Sequence, residues 1–290
     1  VVISLVVIFY ITQLYIGMRR EKKNRLQSLR EKEQEHRINQ MNMNFFANVS
    51  HEFRTPLTVI SGPISQLYHD ESIQGEQHRL LKVVNRSVNR MLQLVNQMMD
   101  FHKLEEDSLR LEVKRQDVVG LLKQVAEFFA VNARDKNIEF RTHGLEDIFL
   151  MWADADKIEK ILNNLIGNAM KYTPAGGKVD LDLDVISCQE AQSLFPDASL
   201  ISDMQYAKVT VSDNGLGIPE KQRTKIFDRY YQLRNTTQEG KSNWGTGIGL
   251  YFTKRLVGLH HGHISVFDNP EGQGSCFCFI VPVGQTAYSD

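Results

Sequence analysis

The chain has 290 residues, of which 42 % are hydrophobic and 24 % charged, the balance of a folded globular protein rather than a disordered one. Its formal net charge of −1 provides no overall field for a polyanion, so we expect no direct contact with nucleic acid. The three cysteines, Cys188, Cys276 and Cys278, follow no metal-ligand spacing and leave one thiol over after pairing. This pattern favours reduced thiols in a cytosolic domain.

The chain begins with an apolar segment. Residues 1–18, "VVISLVVIFYITQLYIGM", carry no charge, and the basic run "RREKKNR" follows at once. About 20 apolar residues span a bilayer, and a signal peptide would carry its basic residues in front rather than behind. A buried core helix is the alternative, but the Arg and Lys pairs at its end suit a headgroup region better. We therefore predict a transmembrane helix at 1–18, with the chain from Arg19 onward in the cytoplasm.

A helical hairpin is predicted after the apolar segment. Residues 19–44 are charged and lack Pro and Gly, which indicates a cytoplasmic helical linker. Within residues 45–108, a polar turn containing Gly75 separates two apolar stripes with steps of three and four. The stripes are Phe46, Val49, Phe53, Pro56, Ile60, Pro63 and Leu67, then Leu81, Val84, Val88, Met91, Val95 and Met98. These heptad seams predict an antiparallel hairpin, and a dimer of two hairpins would close a four-helix bundle.

The stretch "FFANVSHEFRTPL", residues 45–57, places a histidine in the first of these helices. If Phe53 is at position a of the heptad, His51 is at f and faces solvent, with Glu52 beside it and Thr55 one turn further along the same face. Pro56 cannot donate to the carbonyl of Glu52, so we expect the helix to bend there. An ordinary surface histidine explains this stretch equally well when it is considered by itself.

Beyond residue 108 helical stripes alternate with five strand-like runs, which predicts an α+β or α/β sandwich. We take an α/β two-layer sandwich over residues 109–287 as the expected fold. The runs are "NIEFRTH", "KVDLDLDV", "YAKVTVSD", "HISVFD" and "SCFCFIVPV". The segment at 186–205 is longer than an ordinary hairpin connection and indicates a surface insertion.

Three further motifs have possible chemical roles. Asn164 and Asn168 lie one helical turn apart and offer the hard oxygen ligands that Mg²⁺ prefers, although solvated surface amides have the same spacing. "DNGLGIP" supplies Asp213 with two glycines, which fits a ligand bearing an exocyclic amine or a common turn. "GTGIGL", residues 245–250, opens a helix and can present N–H groups to phosphate. It fits the dinucleotide fingerprint only loosely, and no P-loop motif is present.

Taken in order, these motifs resemble those of the sensor histidine kinases. "HEFRTPL" is similar to the phospho-acceptor box, "NNLIGNAMKYT" to the N box, "DNGLGIP" and "GTGIGL" to the glycine boxes, and "IFDRYY" to the F box. The resemblance covers about residues 40–285. "TVISGPISQL" and the lack of a linker domain ahead of the hairpin also resemble hybrid two-component regulators.

The resemblance implies catalytic roles for the first box. His51 is similar to the histidine that ATP phosphorylates, Glu52 to the general base beside it, and Thr55 to the residue that positions water when phosphate is removed from a regulator. Asn164 and Asn168 would hold Mg²⁺ on the triphosphate.

The same resemblance implies the remainder of the nucleotide site. Lys171 would touch the phosphates, Tyr172 would stack near the adenine, and Asp213 would accept from the adenine amino group. Phe227 is similar to the F-box residue beside a lid at about 229–246. The residues expected to shape the pocket and lid are Gly215, Gly217, Gly245, Thr246, Gly247, Gly249 and Leu250.

The implied activity is autophosphorylation from Mg-ATP in a homodimer at the bacterial inner membrane. Phosphate would then pass to an aspartate of a receiver domain, separate or fused, with dephosphorylation of that domain as a second activity. A non-kinase ATPase of this fold and a degenerate kinase acting as a scaffold are the alternatives. Transfer of phosphate within a subunit and transfer across the dimer are both compatible with the sequence.

Overall fold

The computed structural model describes residues 53–69, 75–105, 109–233 and 247–288, with the single positions 18, 19, 22, 49 and 73. The chain divides into two compact units, Val1–Ser108 and Leu109–Asp290. Residues 1–17 of the predicted membrane span and nearly all of the linker at 19–44 lie outside the described residues. Among the helices that are described, none is long and apolar enough to cross a membrane.

The first unit contains the predicted hairpin. Residues 53–68 form helix α1 and Glu76–Glu105 form helix α2. Near one end the Arg54 guanidinium donates two hydrogen bonds to Asn96 Oδ1, at 2.8 and 3.1 Å. At the other end the Tyr68 ring stacks on His78, with centroids 5.0 Å apart. The two helices are therefore antiparallel, and Gly75 takes a φ of 65° in the turn between them.

The proline of α1 lies within regular helix as far as the structure describes it. Residues 53–68 are helical on both sides of Pro56, and the Thr58 hydroxyl donates to the carbonyl of Arg54 at 2.8 Å. The bend expected at Pro56 depends on the turn that includes Glu52, which lies outside the described residues. That bend stays a prediction.

The apolar seam predicted for α1 is not the one that packs inside the hairpin. Phe53, Ile60 and Leu67 of that seam are exposed within one chain, whereas the neighbouring Leu57 and Ile64 are half-buried. Helix α1 carries two adjacent apolar stripes, and one partner helix covers only one of them. Closure of the predicted seam by a second hairpin stays a prediction.

The second stripe, on α2, is divided in the same way. Leu81, Val88 and Val95 are buried or half-buried, while Val84 and Met91 are exposed. Each helix therefore presents apolar side chains outward as well as toward its partner in the hairpin.

The second unit is an α/β sandwich whose five predicted strands are all present. In chain order it contains β1 (Lys114–Asp117), α3 (Val118–Asp135), β2 (Glu139–His143), β3 (Leu150–Ala153), α4 (Ala155–Tyr172), β4 (Lys178–Ile186), α5 (Cys188–Leu194), β5 (Tyr206–Asp213), α6 (Glu220–Arg223), α7 (Gly249–Leu259), β6 (His263–Asp268) and β7 (Ser275–Pro282). The main sheet has the order β2-β4-β5-β7-β6, parallel only between β2 and β4. The short strands β1 and β3 pair separately and were not predicted.

Helix α4 is central to the helical layer, where it packs between α3 and α7 and against β5. Its inward residues recur with helical spacing and are almost fully buried: Ile158, Ile161, Leu162, Leu165, Ile166 and Ala169. Asp154 caps its N-terminus by accepting from the N–H of Lys157 at 3.2 Å. The buried stripe leaves the polar face of α4 available for a site.

The insertion at 186–205 packs on the other face of the sheet. Helix α5 begins with a capping box between Ser187 and Glu190, and Phe195 at its end meets Phe267 of β6 edge-on at 6.3 Å. On β7, Cys278 packs with this insertion while the adjacent Phe277 contacts Phe227, which follows α6. Since successive side chains of a strand point to opposite faces, the insertion adds a small third layer to the predicted two.

Candidate functional site

Helices α4 and α7 are joined at two points. The Asn164 amide donates from Nδ2 to the Thr253 hydroxyl at 2.7 Å. Toward the other end, the backbone N–H of Asp154 donates to His260 Nε2 at 3.2 Å. The helices are therefore antiparallel, with the Asn residues of α4 near the glycine-rich N-terminus of α7.

His260 is a buried polar group within this helical layer. Its Nδ1 lies 2.9 Å from the carbonyl of Leu256, so Nδ1 carries the hydrogen and Nε2 accepts. Burial lowers the pKa of this imidazole, and Lys157 opposes its protonation while the Asp154 carboxylate favours it. The histidine is held neutral and connects the last turn of α7 to the cap of α4.

Asp213 ends β5 and is nearly fully buried. Its carboxylate accepts from the N–H of Gly215 at 2.9 Å. Burial raises the pKa of the carboxyl, while hydrogen bonds from the backbone of Gly215 and Ser275 act in the opposite direction. A carboxylate with only part of its acceptor capacity satisfied can accept a hydrogen bond from an amine of a ligand.

Two glycines of the predicted boxes have close backbone contacts that exclude a side chain. A Cβ at Gly215 would lie 2.5 Å from the carbonyl oxygen of Tyr172, at the end of α4. A Cβ at Gly247 would lie 2.6 Å from the carbonyl carbon of Tyr230, and Gly247 has a φ of 68°. The loops after β5 and before α7 can therefore approach the neighbouring backbone closely. Gly217 lies in the loop after β5, and Leu250 is the second residue of α7.

The C-terminal end of α4 carries the residues expected at the base and the phosphates. Tyr172 is partly exposed, and the Lys171 ammonium lies 4.8 Å from the centroid of its ring and donates to its hydroxyl at 3.1 Å. Thr173 follows, and its hydroxyl has no hydrogen-bond partner although it is buried. Among the described residues the protein thus provides an aromatic surface, a cation and an unpaired hydroxyl close together.

Phe227 supports the site by packing rather than by polar contact. It is buried at the end of the short turn Lys225–Phe227 and meets Phe277 edge-on with centroids 6.4 Å apart. Beyond it, Arg229 donates to the hydroxyl of Tyr251 at 2.8 Å, and the N–H of Tyr230 donates to Gly247 at 2.9 Å. The chain before and after the predicted lid is thus held together, whereas residues 234–246 are outside the described part.

The structure brings together only part of the predicted site. Asn164, Asn168, Lys171 and Tyr172 lie on one helix, with Asp213 and Gly215 at its C-terminal end and Gly249 beside Asn164. Gly245, Thr246, His51 and Glu52 lie outside the described residues, and Thr55 is exposed in the first unit. The sequence interpretation missed Thr253, Asp154 and His260. Asp154 had a recognisable signal, since an Asp directly before a helical stripe is a typical cap.

The site supplies amide oxygens rather than a carboxylate cluster for a metal. In the described part of the chain no three His, Cys, Asp or Glu side chains are placed to hold an ion. Asn164 is half-buried, and its Oδ1 lies close to Gly249 at the start of α7. A hard oxygen beside a helix N-terminus fits Mg²⁺ carried by a phosphate ligand, because this ion retains waters and uses few protein oxygens.

Comparisons with known families match both units. Residues 41–107 match the His Kinase A (phospho-acceptor) domain, and residues 153–285 match the Histidine kinase-, DNA gyrase B-, and HSP90-like ATPase family. The chain is 34 % identical over 261 residues to "Histidine kinase P4" of Formosa agariphila, covering 90 % of this chain and 18 % of that protein. It is 29 % identical over 261 residues to "Sensor histidine kinase WalK" of Bacillus subtilis, covering 89 % and 39 % respectively.

A solved structure is similar over most of the chain. It is that of ShkA, full-length in complex with AMPPNP, with a TM-score of 0.60 and 29 % identity. The similarity covers 82 % of this chain and 45 % of that one. This chain thus spans less than half of the length of each of these three proteins.

Proposed function

Since this chain belongs to the sensor histidine kinases, we propose that it transfers the γ-phosphoryl group of Mg-ATP to His51 and then to an aspartate of a receiver domain. One observation carries this proposal: a phospho-acceptor hairpin precedes an ATPase-type sandwich in the same chain. The order matches that of a kinase whose substrate is its own histidine. A stand-alone ATPase of this fold has no need for such a hairpin.

The nucleotide would bind around the C-terminal half of α4. Asp213 would accept from the adenine amino group, Tyr172 would stack on the base, and Lys171 would turn toward the phosphates. Asn164 and Asn168 would hold Mg²⁺, which when bound neutralises charge on the triphosphate. The N-terminus of α7 would offer helix N–H groups to the phosphates, since Gly249 lies beside Asn164.

The transfer itself would need only positioning and one proton acceptor. A ring nitrogen of His51 attacks the γ-phosphorus, the new N–P bond forms, and the bond to the ADP oxygen breaks. Glu52 takes the imidazole proton as general base. For the second proposed activity, dephosphorylation of the receiver domain, Thr55 would orient the water that removes the phosphate.

The partners follow from the exposed faces and from the relatives. The outward apolar side chains of α1 and α2 support a homodimer that closes a four-helix bundle. Two relatives in Dictyostelium discoideum are described as hybrid signal transduction histidine kinases, which supports a receiver domain as the next acceptor. Mixing phosphorylated chain with purified receiver domains would test that step.

The location is proposed from the sequence of the first residues. Residues 1–18 would anchor the chain in the bacterial inner membrane and leave the kinase domains in the cytoplasm, because the basic run follows the apolar one. Recovery of the chain in the membrane fraction, with its loss after deletion of residues 1–18, tests this part. Recovery of both forms in the soluble fraction would contradict it.

The decisive experiment is incubation with γ-labelled ATP and Mg²⁺, comparing the wild-type chain with His51→Gln. We expect acid-labile, alkali-stable label on the wild type and none on the variant, with nucleotide affinity unchanged. Label retained on His51→Gln would show that another residue is the acceptor. ATP binding without label on either protein would favour the scaffold alternative.

A further inference from the structure

We propose that Thr253 is a positioning residue for the metal ligand Asn164. Its buried hydroxyl accepts a hydrogen bond from the Asn164 amide nitrogen and so directs the amide oxygen toward the start of α7. This inference rests on the proposed function, since it concerns how the chain prepares its Mg²⁺–nucleotide site.

The contact itself is short and sheltered from water. Asn164 Nδ2 donates to Thr253 Oγ1 at 2.7 Å, and Thr253 is fully buried. In this contact the hydroxyl oxygen is the acceptor, because the amide atom that lies opposite it is the nitrogen.

The other end of the amide lies over a glycine. A Cβ at Gly249 would lie 2.5 Å from Asn164 Oδ1 and 3.2 Å from Nδ2, so the oxygen is the amide atom nearest to this position. Gly249 is the first residue of α7, where helix N–H groups lack partners within the helix. The oxygen is thus presented where the phosphates and their metal would be bound.

Without the Thr253 hydroxyl as a partner, the Asn164 amide could direct either its oxygen or its nitrogen toward the start of α7. The terminal torsion of Asn is broad and roughly two-fold, so oxygen and nitrogen exchange places at little cost. Only the oxygen can ligate a hard cation, because the amide nitrogen carries two hydrogens. Partners of a metal ligand that fix its orientation typically account for 10–100-fold in metal affinity.

A role in packing alone makes a different prediction. Thr253 and Asn164 connect two helices of the nucleotide unit, so a loosened contact would weaken nucleotide binding whether or not a metal is present. A positioning role affects only the additional affinity that Mg²⁺ provides. The two explanations are therefore separated by measuring nucleotide binding with and without the ion.

The test uses the full chain with Thr253→Val and, as the matched control, Thr253→Ser. Valine keeps the shape and removes the acceptor, whereas serine keeps the hydroxyl. Calorimetric titration with a non-hydrolysable ATP analogue is done in Mg²⁺ and in EDTA, after thermal unfolding has confirmed that each variant is folded. We expect Thr253→Val to lose about 10-fold or more of the affinity in Mg²⁺ and none in EDTA, and Thr253→Ser to resemble wild type.

An equal loss in Mg²⁺ and in EDTA, or no loss in either, would overturn the inference. If Thr253→Val does not fold, Thr253→Ala is measured under the same two conditions and the same outcomes decide. A wild-type chain that binds the analogue equally well with and without Mg²⁺ also overturns the inference. A wild-type chain that does not bind the analogue would contradict the proposed function instead.

Discussion

The hairpin and the sandwich differ in how completely each buries its own apolar residues. In the sandwich, Leu162 and Leu165 of α4 have no solvent exposure. In the hairpin, Phe53 is 57 % exposed, Val59 68 % and Ile60 47 %. The sandwich closes its core within one chain, whereas the described part of the hairpin leaves several large apolar side chains exposed.

Helices of both regions have apolar residues at steps of three and four. This pattern therefore does not determine which neighbouring element covers the apolar stripe. Apolar steps of three and four predict a stripe on a helix and nothing about the partner. In α4 a sheet and two helices cover the stripe. In α1 the second helix covers only the side that carries Leu57 and Ile64. The difference lies in the number of neighbouring elements, which is a property of topology.

The largest effect on stability is expected from a cavity in the core of the sandwich. Leu165→Ala removes a fully buried side chain from α4 and should lower the free energy of unfolding of the second unit by about 2–5 kcal/mol. Denaturant titration followed at several protein concentrations measures it. Because this core lies within one chain, the loss should not depend on concentration.

Leu194→Ala is the matched control, since this leucine at the end of α5 is partly exposed. It should change the same free energy by about 0.5 kcal/mol or less. Equal losses for Leu165→Ala and Leu194→Ala would show that the core of the second unit is not closed as described.

A second consequence of the closed core is that the stability of the sandwich depends on pH. His260 is fully buried, whereas none of the described histidines of the hairpin is. Burial lowers the pKa of His260 in the folded chain below the unfolded value of about 6.5, so below that pH the unfolded state binds a proton that the folded state does not. The stability that neutral His260 contributes is fully present above about pH 6.5 and is lost as the pH falls below that value. Besides Asp154 and Lys157, His261 and Tyr288 are the titratable groups around it.

The measurement is denaturant unfolding at pH 8 and pH 5.5 for wild type and His260→Gln. At pH 8 we expect the variant to be less stable by about 1–3 kcal/mol, since buried hydrogen bonds are lost. The fall in stability between the two pH values should be smaller for His260→Gln than for wild type. If stability decreases between pH 8 and pH 5.5 by the same amount in His260→Gln as in wild type, His260 is not the source of that decrease.

Much of the fold was predictable because strands and helices have different periods. The alternation in "KVDLDLDV" and "YAKVTVSD" predicted β4 and β5, and both are present. The strand β1, with the sequence "KRQD", has no apolar alternation and is fixed only by pairing with β3. The third layer formed by the insertion also depends on a tertiary contact, that of Phe195 with Phe267.

For the site, the sequence predicted residues that share an element and missed those that join elements. Asn164 and Asn168 were grouped because they lie one turn apart on one helix. Thr253 is 89 positions from Asn164, and His260 is 106 positions from Asp154. Motif spacing cannot report such pairs, because they meet only when α4 and α7 pack antiparallel.

The smallest expected effect concerns the hairpin, whose apolar side chains are exposed within one chain. Ile60 belongs to the predicted seam and is exposed within one chain, so Ile60→Lys should place a charge in the interface of the proposed dimer. We expect the dimer dissociation constant to rise at least about tenfold, equivalent to about 1.4 kcal/mol. Analytical ultracentrifugation over a range of concentrations measures it.

Val59 provides the matched control, because it is even more exposed and lies beside Ile60 but off the predicted seam. Val59→Lys should weaken the dimer less than Ile60→Lys, since its side chain is directed away from the seam by about 100° around the helix. Equal effects would mean that the seam does not form the dimer interface. A wild-type chain that remains monomeric at all concentrations would mean that something other than a second copy covers the apolar surface of the hairpin.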